Sequence, residues 1–288
     1  MPELPEVETT RKGILPKTEQ QIIQRLVVRN PNLRWKVDSD LVQILPGLKI
    51  HQINRRGKYL LLETAEGTLL IHLGMSGNLR VLPLDTPAQK HDHIDLELEN
   101  GWLLRLNDPR RFGAFLWHPL SAGALQNHPL LAKLGPEPLS EAFNGDYFYQ
   151  QSRNRSVAIK TLVMNSHIVV GAGNIYANES LFLSNIHPQT PASSLSRAQC
   201  ETLANNIKQV LAAAIEQGGT TLKDFMAPDG KPGYFVQKLH VYGRDNLACS
   251  VCGTPIERIV LNQRASYFCP HCQPLKRSKG SKGKARAK

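Results

Sequence analysis

Apolar residues recur along this chain with two different periods, and the change of period divides it. After "MPEL", Val7, Thr10, Arg11 and Ile14 follow helical spacing. Pro5 suits the first turn of that helix, and Glu6 and Glu8 lie on the favourable side of its dipole. Pro16 is expected to end it. Residues 21–117 read mainly as strands. "YLLLETAEGTLLIHL" places an Ala-Glu-Gly turn between two apolar runs, and "HIDLELENGWLLRLND" alternates before turning at Asn100-Gly101, a strong hairpin signal. These elements predict a strand-rich sandwich or flattened barrel over residues 1–118, with the N-terminal helix packed on it.

Residues 119–145 carry Pro119, Pro129, Pro136, Pro138 and several glycines, and read as a linker. Helical periodicity then governs residues 146–234. In "SLSRAQCETLANNIKQVLAAAIEQGG", Ser196 and Gln199 form a capping-box pattern. Cys200, Leu203, Ile207, Val210, Leu211, Ala214 and Ile215 make one stripe, so Cys200 reads as core. Gly218-Gly219 stops the helix. The stretch 218–233, "GGTTLKDFMAPDGKPG", reads as a long loop, either a functional lid or a plain connector. A cysteine-rich segment at 235–272 and a tail at 273–288 complete an α+β chain.

Composition narrows the class. The apolar fraction of 41% supports real cores. There is no apolar run of about 18 residues and no basic-then-apolar leader, so the expectation is a soluble cytoplasmic protein. Net charge is +11, and the tail "QPLKRSKGSKGKARAK" holds seven Lys/Arg and no acid, which leaves +4 on residues 1–272. Such a tail is expected to be disordered and either to favour a polyanion or simply to keep the chain in solution.

Four of the five cysteines form "CSVC" (249–252) and "CPHC" (269–272), sixteen residues apart. Each pair can present two thiolates from a tight turn, and four thiolates satisfy tetrahedral Zn²⁺. Cys249, Cys252, Cys269 and Cys272 therefore predict one closed, structural zinc, with His271 a bystander. Between the pairs, "IERIVLNQRASYF" reads as two strands around a turn near Asn262-Gln263, with Arg264 just past the tip. Arg264 there is either a nucleic-acid probe or an ordinary solvated arginine.

"MPELPEVET", "RRGKYLLL", "HLGMSG", "KHDH", "DPRRFGA", "LGPEPL", "VGAGNIYANESL", "GGTTLKDF", "GKPGYF", "VYGR" and "QRASYFC" occur in this order. Together they resemble bacterial formamidopyrimidine-DNA glycosylase, the 8-oxoguanine DNA glycosylase/AP lyase MutM family. The resemblance covers nearly everything except the tail. It implies an N-terminal β-sandwich domain, a helical domain with a helix–two-turn–helix element and a zinc hairpin, and damaged double-stranded DNA lying between them. It also implies a monomeric, nucleoid-associated repair enzyme with lesion-binding loop 218–233.

The resemblance also implies roles. Pro2, freed by removal of Met1, would be the nucleophile and Schiff-base former, with Glu3 the general acid/base. A helix-start proline and a dipole-complementing acid are the plain readings of the same two residues. Lys58 would reach the active site, bind phosphate and assist proton transfer; a solvated strand-edge lysine is the alternative. Arg264 would hold the phosphate beside the lesion and support elimination. His72 and Asn174 match phosphate contacts, and Asn174 also suits a helix cap. His91, Arg110 and Arg155 match DNA contacts, the last in the stretch of weakest agreement. Met75, Arg110 and Phe112 match the wedge that fills the gap left by a flipped base, with Arg110 toward the opposite base, for which cytosine is preferred.

The expected reaction is excision of 8-oxoguanine and formamidopyrimidines followed by β,δ-elimination. Two alternatives stand beside it: an endonuclease VIII-type enzyme of oxidised pyrimidines, which typically departs from "PELPE", and a zinc-finger DNA-binding protein without catalysis, against which the set Pro2-Glu3-Lys58 argues.

Overall fold

The computed structural model describes residues 2–218 and 239–275. Most of the expected loop 218–233 and all but the first three residues of the expected tail lie outside the described residues. Helix α1 (Leu4–Thr18) starts behind Glu3, whose N–H donates to Glu6 Oε2 at 2.8 Å. It buries Leu4, Val7 and Ile14. The helix runs through Pro16 instead of ending there and stops at Thr18. In the last turn a proline forfeits only its own N–H bond, and Glu19 N–H still reaches Leu15 O at 3.1 Å.

Next come β1 (Ile23–Val28), α2 (Leu41–Ile44), β2 (Gln52–Arg56), β3 (Tyr59–Glu63), β4 (Gly67–His72), β5 (Asn78–Pro83), β6 (Asp92–Leu98), β7 (Trp102–Asn107) and β8 (Ala114–Pro119). They form two antiparallel four-stranded sheets, ordered β1-β6-β7-β5 and β2-β3-β4-β8. Leu26, Ile94, Leu96 and Leu104 of the first sheet share one core with Leu60, Leu62, Leu69, Ile71 and Phe115 of the second, closed by Val7 and Ile14 of α1. This is the expected β-sandwich with its N-terminal helix.

The outer faces explain the sequence patterns. Leu61 and Leu70 of the second sheet pack outward on Leu131, with Leu125 and Leu134 beside it. The span read as a linker thus covers this sheet. A sheet buried on both faces needs continuous apolar strands rather than alternation, which is why β3 reads "YLLLE". The outer face of the first sheet is buried charge. Arg105, 2% exposed, grips Asp95 through Nε and Nη2, both at 2.7 Å. Arg80 pairs with Asp92 and Arg29 with Asp95.

The rest of the described chain holds α3 (Gly145–Ser152), α4 (Ile159–Val163), α5 (Asn174–Leu183), α6 (Arg197–Glu216), β9 (Glu257–Leu261) and β10 (Arg264–Phe268). Ser196 and Gln199 cap α6 reciprocally, at 3.0 and 3.2 Å. Cys200, Leu203, Ile207, Leu211 and Ala214 form its buried stripe. The chain forms two compact units, neither contiguous: Met1–Phe143 with Met164–Gly173 and Lys208–Lys238, and Asn144–Val163 with Asn174–Ile207 and Leu239–Lys288.

Candidate functional site

Pro2 and Glu3 are both buried within the first unit. Glu3, 2% exposed, accepts the Gly173 N–H on Oε2 at 2.7 Å, and Leu4 N–H donates to Gly171 O at 3.2 Å. The close approach requires glycine at both places. A Cβ on Gly173 would lie 2.3 Å from Glu3 Cδ, and one on Gly171, at φ +86°, would lie 2.4 Å from Leu4 Cδ1. The "GAG" of 171–173 therefore cradles the N-terminal residues. Sequence reading used that motif only for Asn174.

Lys58 sits, half-buried, in the two-residue turn between β2 and β3. An ionic scaffold supports this turn. Glu137 accepts Gly57 N–H at 2.7 Å and pairs with Arg55 and Arg56, while Glu8 pairs with Arg11 and Arg55. Burial works against the charge on Glu8 and Glu137, yet their arginine partners, with Gly57 N–H at Glu137, hold both carboxyls below the usual range. Glu137 is a site-building residue that sequence reading passed over.

His72 ends β4, paired with Tyr59, and its ring lies 4.8 Å from the Tyr59 ring. Withdrawal from water, then the positive charges of Lys58 and Arg34, push its pKa down to about 4. It is therefore neutral near pH 7. Gly74 N–H donates to Nδ1 at 3.0 Å, which leaves the proton on Nε2. A neutral Nε2–H is a donor suited to an anionic oxygen.

His72, Met75, Arg110 and Phe112 line one groove of about 670 Å³ with Asn32, Arg34 and Arg111. Phe112 is 42% exposed, and the Arg110 guanidinium lies 4.9 Å from its ring centre. His91, in left-handed backbone at φ +72°, is joined to the loop bearing Arg110 by Asp108 N–H to His91 O at 3.1 Å.

In the second unit Asn174 is the first residue of α5, and Arg155 is exposed between α3 and α4. Strands β9 and β10 meet at Asn262-Gln263, both at positive φ (46° and 61°), as a two-residue turn of the primed kind requires. Arg264 follows, exposed. Lys160, buried at 1% exposure, donates to Ala265 O at 2.8 Å and Ser266 Oγ at 2.6 Å, so α4 fixes the strand that carries Arg264. Asn178 Oδ1 accepts Tyr267 N–H at 2.9 Å, and Glu179 accepts three N–H groups from residues 240–242. None of these supports is local in sequence.

The Sγ atoms of Cys249, Cys252, Cys269 and Cys272 all lie within 4.8 Å of one another. Cys249–Cys272, Cys252–Cys269 and Cys252–Cys272 are 3.9, 3.4 and 3.5 Å apart. A tetrahedral zinc with Zn–S bonds of about 2.3 Å requires about 3.8 Å between sulfurs, so the set fits one Zn²⁺. Val251 and Cys272 N–H groups point at Cys249 and Cys269 Sγ, both at 3.4 Å, as thiolate acceptors want. His271 is exposed and outside the cluster. Four protein ligands close the coordination sphere, so zinc here holds structure.

Three family descriptions match the chain: the formamidopyrimidine-DNA glycosylase N-terminal domain at residues 1–115, the formamidopyrimidine-DNA glycosylase H2TH domain at 134–226, and the zinc finger found in FPG and IleRS at 247–275. The formamidopyrimidine-DNA glycosylase of Hydrogenovibrio crunogenus is 65% identical over 273 residues, 95% of this chain and 96% of that protein. The chain belongs to the formamidopyrimidine-DNA glycosylase family.

Solved structures agree on the fold. The MutM (FPG) protein of Thermus thermophilus matches with 39% identity and a TM-score of 0.84, covering 94% of this chain and 98% of that one. The Lactococcus lactis Fpg bound to DNA containing an abasic site matches with 33% identity and a TM-score of 0.86, covering 94% and 99%. The α+β architecture expected for a formamidopyrimidine-DNA glycosylase is thus present, with sandwich, H2TH domain and four-cysteine finger. No helix among the described residues is long and apolar enough to cross a membrane.

Proposed function

We propose that this chain is a bifunctional DNA glycosylase/AP lyase of base excision repair, which removes oxidised purines from duplex DNA and then cleaves the strand. The observation that carries this reading is the buried Glu3 carboxylate, held at 2.7 Å by Gly173 N–H directly beside Pro2. Without Met1, Pro2 presents a secondary amine of pKa ~8, roughly a tenth of it unprotonated near pH 7. Its lone pair forms a bond to C1′ as the glycosidic bond breaks, and the base leaves with the electrons of the broken bond and takes up a proton. Glu3 takes the proton from the proline nitrogen and delivers it to the sugar ring oxygen as the C1′–O4′ bond opens, and the freed nitrogen lone pair forms the iminium.

The iminium is an electron sink. It acidifies C2′–H, so loss of that proton expels the 3′ phosphate, a second elimination releases the 5′ phosphate, and water hydrolyses the adduct. Lys58 and Arg264 serve the phosphates and the proton transfers of elimination. His72, neutral with its proton on Nε2, donates to a phosphate, as do His91, Arg155 and Asn174, the last at the start of α5. Met75 and Phe112 fill the space of the extruded nucleotide, and Arg110 faces the opposite base. The single zinc stabilises the hairpin that presents Arg264 and takes no part in the chemistry.

Borohydride reduction tests the reading. On duplex DNA containing 8-oxoguanine the processed enzyme should be trapped covalently, with the adduct on Pro2. Protein retaining Met1 should not trap, because its Pro2 nitrogen is an amide. An adduct on Lys58 with Pro2 unmodified would overturn the nucleophile, and absence of both base release and adduct would overturn the activity.

A further inference from the structure

Two loops carry Met75, Arg110 and Phe112, three of the residues that line the groove. One joins β4 to β5 through residues 73–77, and the other joins β7 to β8 through residues 108–113. Between them lies Asp108, with no exposed surface. Its two carboxylate oxygens divide their work. Oδ2 accepts Gly113 N–H at 2.8 Å, within its own loop, whereas Oδ1 accepts the Ser76 hydroxyl at 2.7 Å, from the other loop. Ser76 Oγ in turn accepts Arg110 N–H at 3.2 Å. A carboxylate that merely closed its own turn would have no need of Ser76.

The backbones also meet. Gly74 is left-handed at φ +64°, and a Cβ there would fall 2.4 Å from Phe112 C. Below, His93 Nε2 bonds Asp108 O at 2.8 Å, tying the pair to the sheet. Each of these three therefore stands at, or one position from, a member of this junction: Met75 beside Ser76, Arg110 bonded to it, Phe112 beside Gly113.

We propose that Ser76 and Asp108 form a buried latch that makes the two loops one rigid wedge, and that the latch governs opening of an intact base pair rather than bond cleavage. The proposal rests on the wedge role given above to Met75, Arg110 and Phe112. The physical reason is preorganisation. Extruding a nucleotide costs a few kcal/mol of stacking and pairing, and inserted side chains offset this only if they need not be ordered at that moment. Ser76 and Asp108 are positioning residues: neither lines the groove.

The test compares wild type, Ser76→Ala, Ser76→Thr and Asp108→Asn in single-turnover excision of 8-oxoguanine paired with cytosine and in cleavage at a preformed abasic site. Ser76→Ala removes both bonds. It should slow excision on the order of tenfold, the effect of ordering one or two side chains during insertion, and leave abasic-site cleavage within about twofold. Ser76→Thr keeps the hydroxyl and should restore excision. Asp108→Asn can still accept Gly113 N–H and donate to Ser76 Oγ, so it should fall between. Equal losses on both substrates, or full excision by Ser76→Ala, would overturn the latch. Methyl relaxation of ¹³C-labelled Met75 in the DNA-free protein separates this from the functional reading. Increased Met75 motion in Ser76→Ala supports the latch even if wild type proved inert on damaged DNA, and unchanged motion counts against it.

Discussion

Replacing Glu179 by glutamine should loosen the zinc finger from a distance. Glu179 belongs to α5, is 3% exposed, and accepts His240 N–H on Oε2 at 2.8 Å and Val241 and Tyr242 N–H on Oε1 at 3.0 and 2.9 Å. Val241 packs in the same small apolar cluster as Phe182, Ile256, Cys249 and Cys269. The carboxylate thus anchors the segment that leads into the first cysteine pair. A glutamine keeps one acceptor oxygen for Val241 and Tyr242 but turns an NH₂ toward His240 N–H. One charge-assisted bond is lost, worth about 1.5–3 kcal/mol, and two fall to neutral strength, about 1 kcal/mol each. At the low end of these ranges the sum is about 2.5 kcal/mol, about 1.5 for the lost bond and about 0.5 for each weakened one. Zinc binding and ordering of the finger are one equilibrium, so this loss should appear as roughly a hundredfold weaker zinc affinity. Competition against a chromophoric chelator measures it, with far-UV circular dichroism to check the sandwich. Zinc affinity of Glu179→Gln within about threefold of wild type, at an unchanged melting temperature, would refute the reasoning.

Removing the metal, or Cys252→Ser, should abolish tight binding to damaged duplex while the strand signal of the sandwich persists, since the cluster and the sandwich have separate cores; binding and circular dichroism of verified zinc-free protein check this. The folded-state pKa of His72, about 4, lies below its ordinary value of 6.5. Its neutral form therefore contributes stability that is present above about pH 6.5 and lost as the pH falls toward 4, at most about 3 kcal/mol. Denaturation between pH 7 and 4 should show wild type losing stability relative to His72→Gln as the pH falls, and parallel curves would exclude it. Deleting residues 276–288, which carry the seven tail cations, should weaken binding to undamaged duplex and flatten its salt dependence, because fewer counterions are released. Excision at saturating enzyme should change little, and an unchanged salt slope excludes the tail as a DNA contact.

Features that depend on short-range chemistry are legible in the bare chain. The cysteine pairs declare a zinc site because each pair needs only a tight turn. Asn100-Gly101 and Asn262-Gln263 mark hairpins because the positive φ of Gly101, Asn262 and Gln263 is decided locally. Ser196 and Gln199 cap α6 because the bonds span three positions. Ordered motifs carried the family assignment and, with it, the candidate residues.

Features that depend on partners far along the chain are not. Alternation in β6 sets Asp95 and Glu97 on the face opposite Ile94 and Leu96, yet Asp95 is 1% exposed and Glu97 7%, because arginines distant in sequence pair with them. The proline-rich span read as a linker covers a sheet, because Leu131 finds Leu61 and Leu70. Glu3 meets Gly173 across 170 positions, and Ser76 meets Asp108 across 32. A hydrogen-bonding side chain looks the same in sequence whether its partner is water or a residue far along the chain. Only closure of the chain into a fold, at a cost in loop entropy that the packed core offsets, specifies which partner it has.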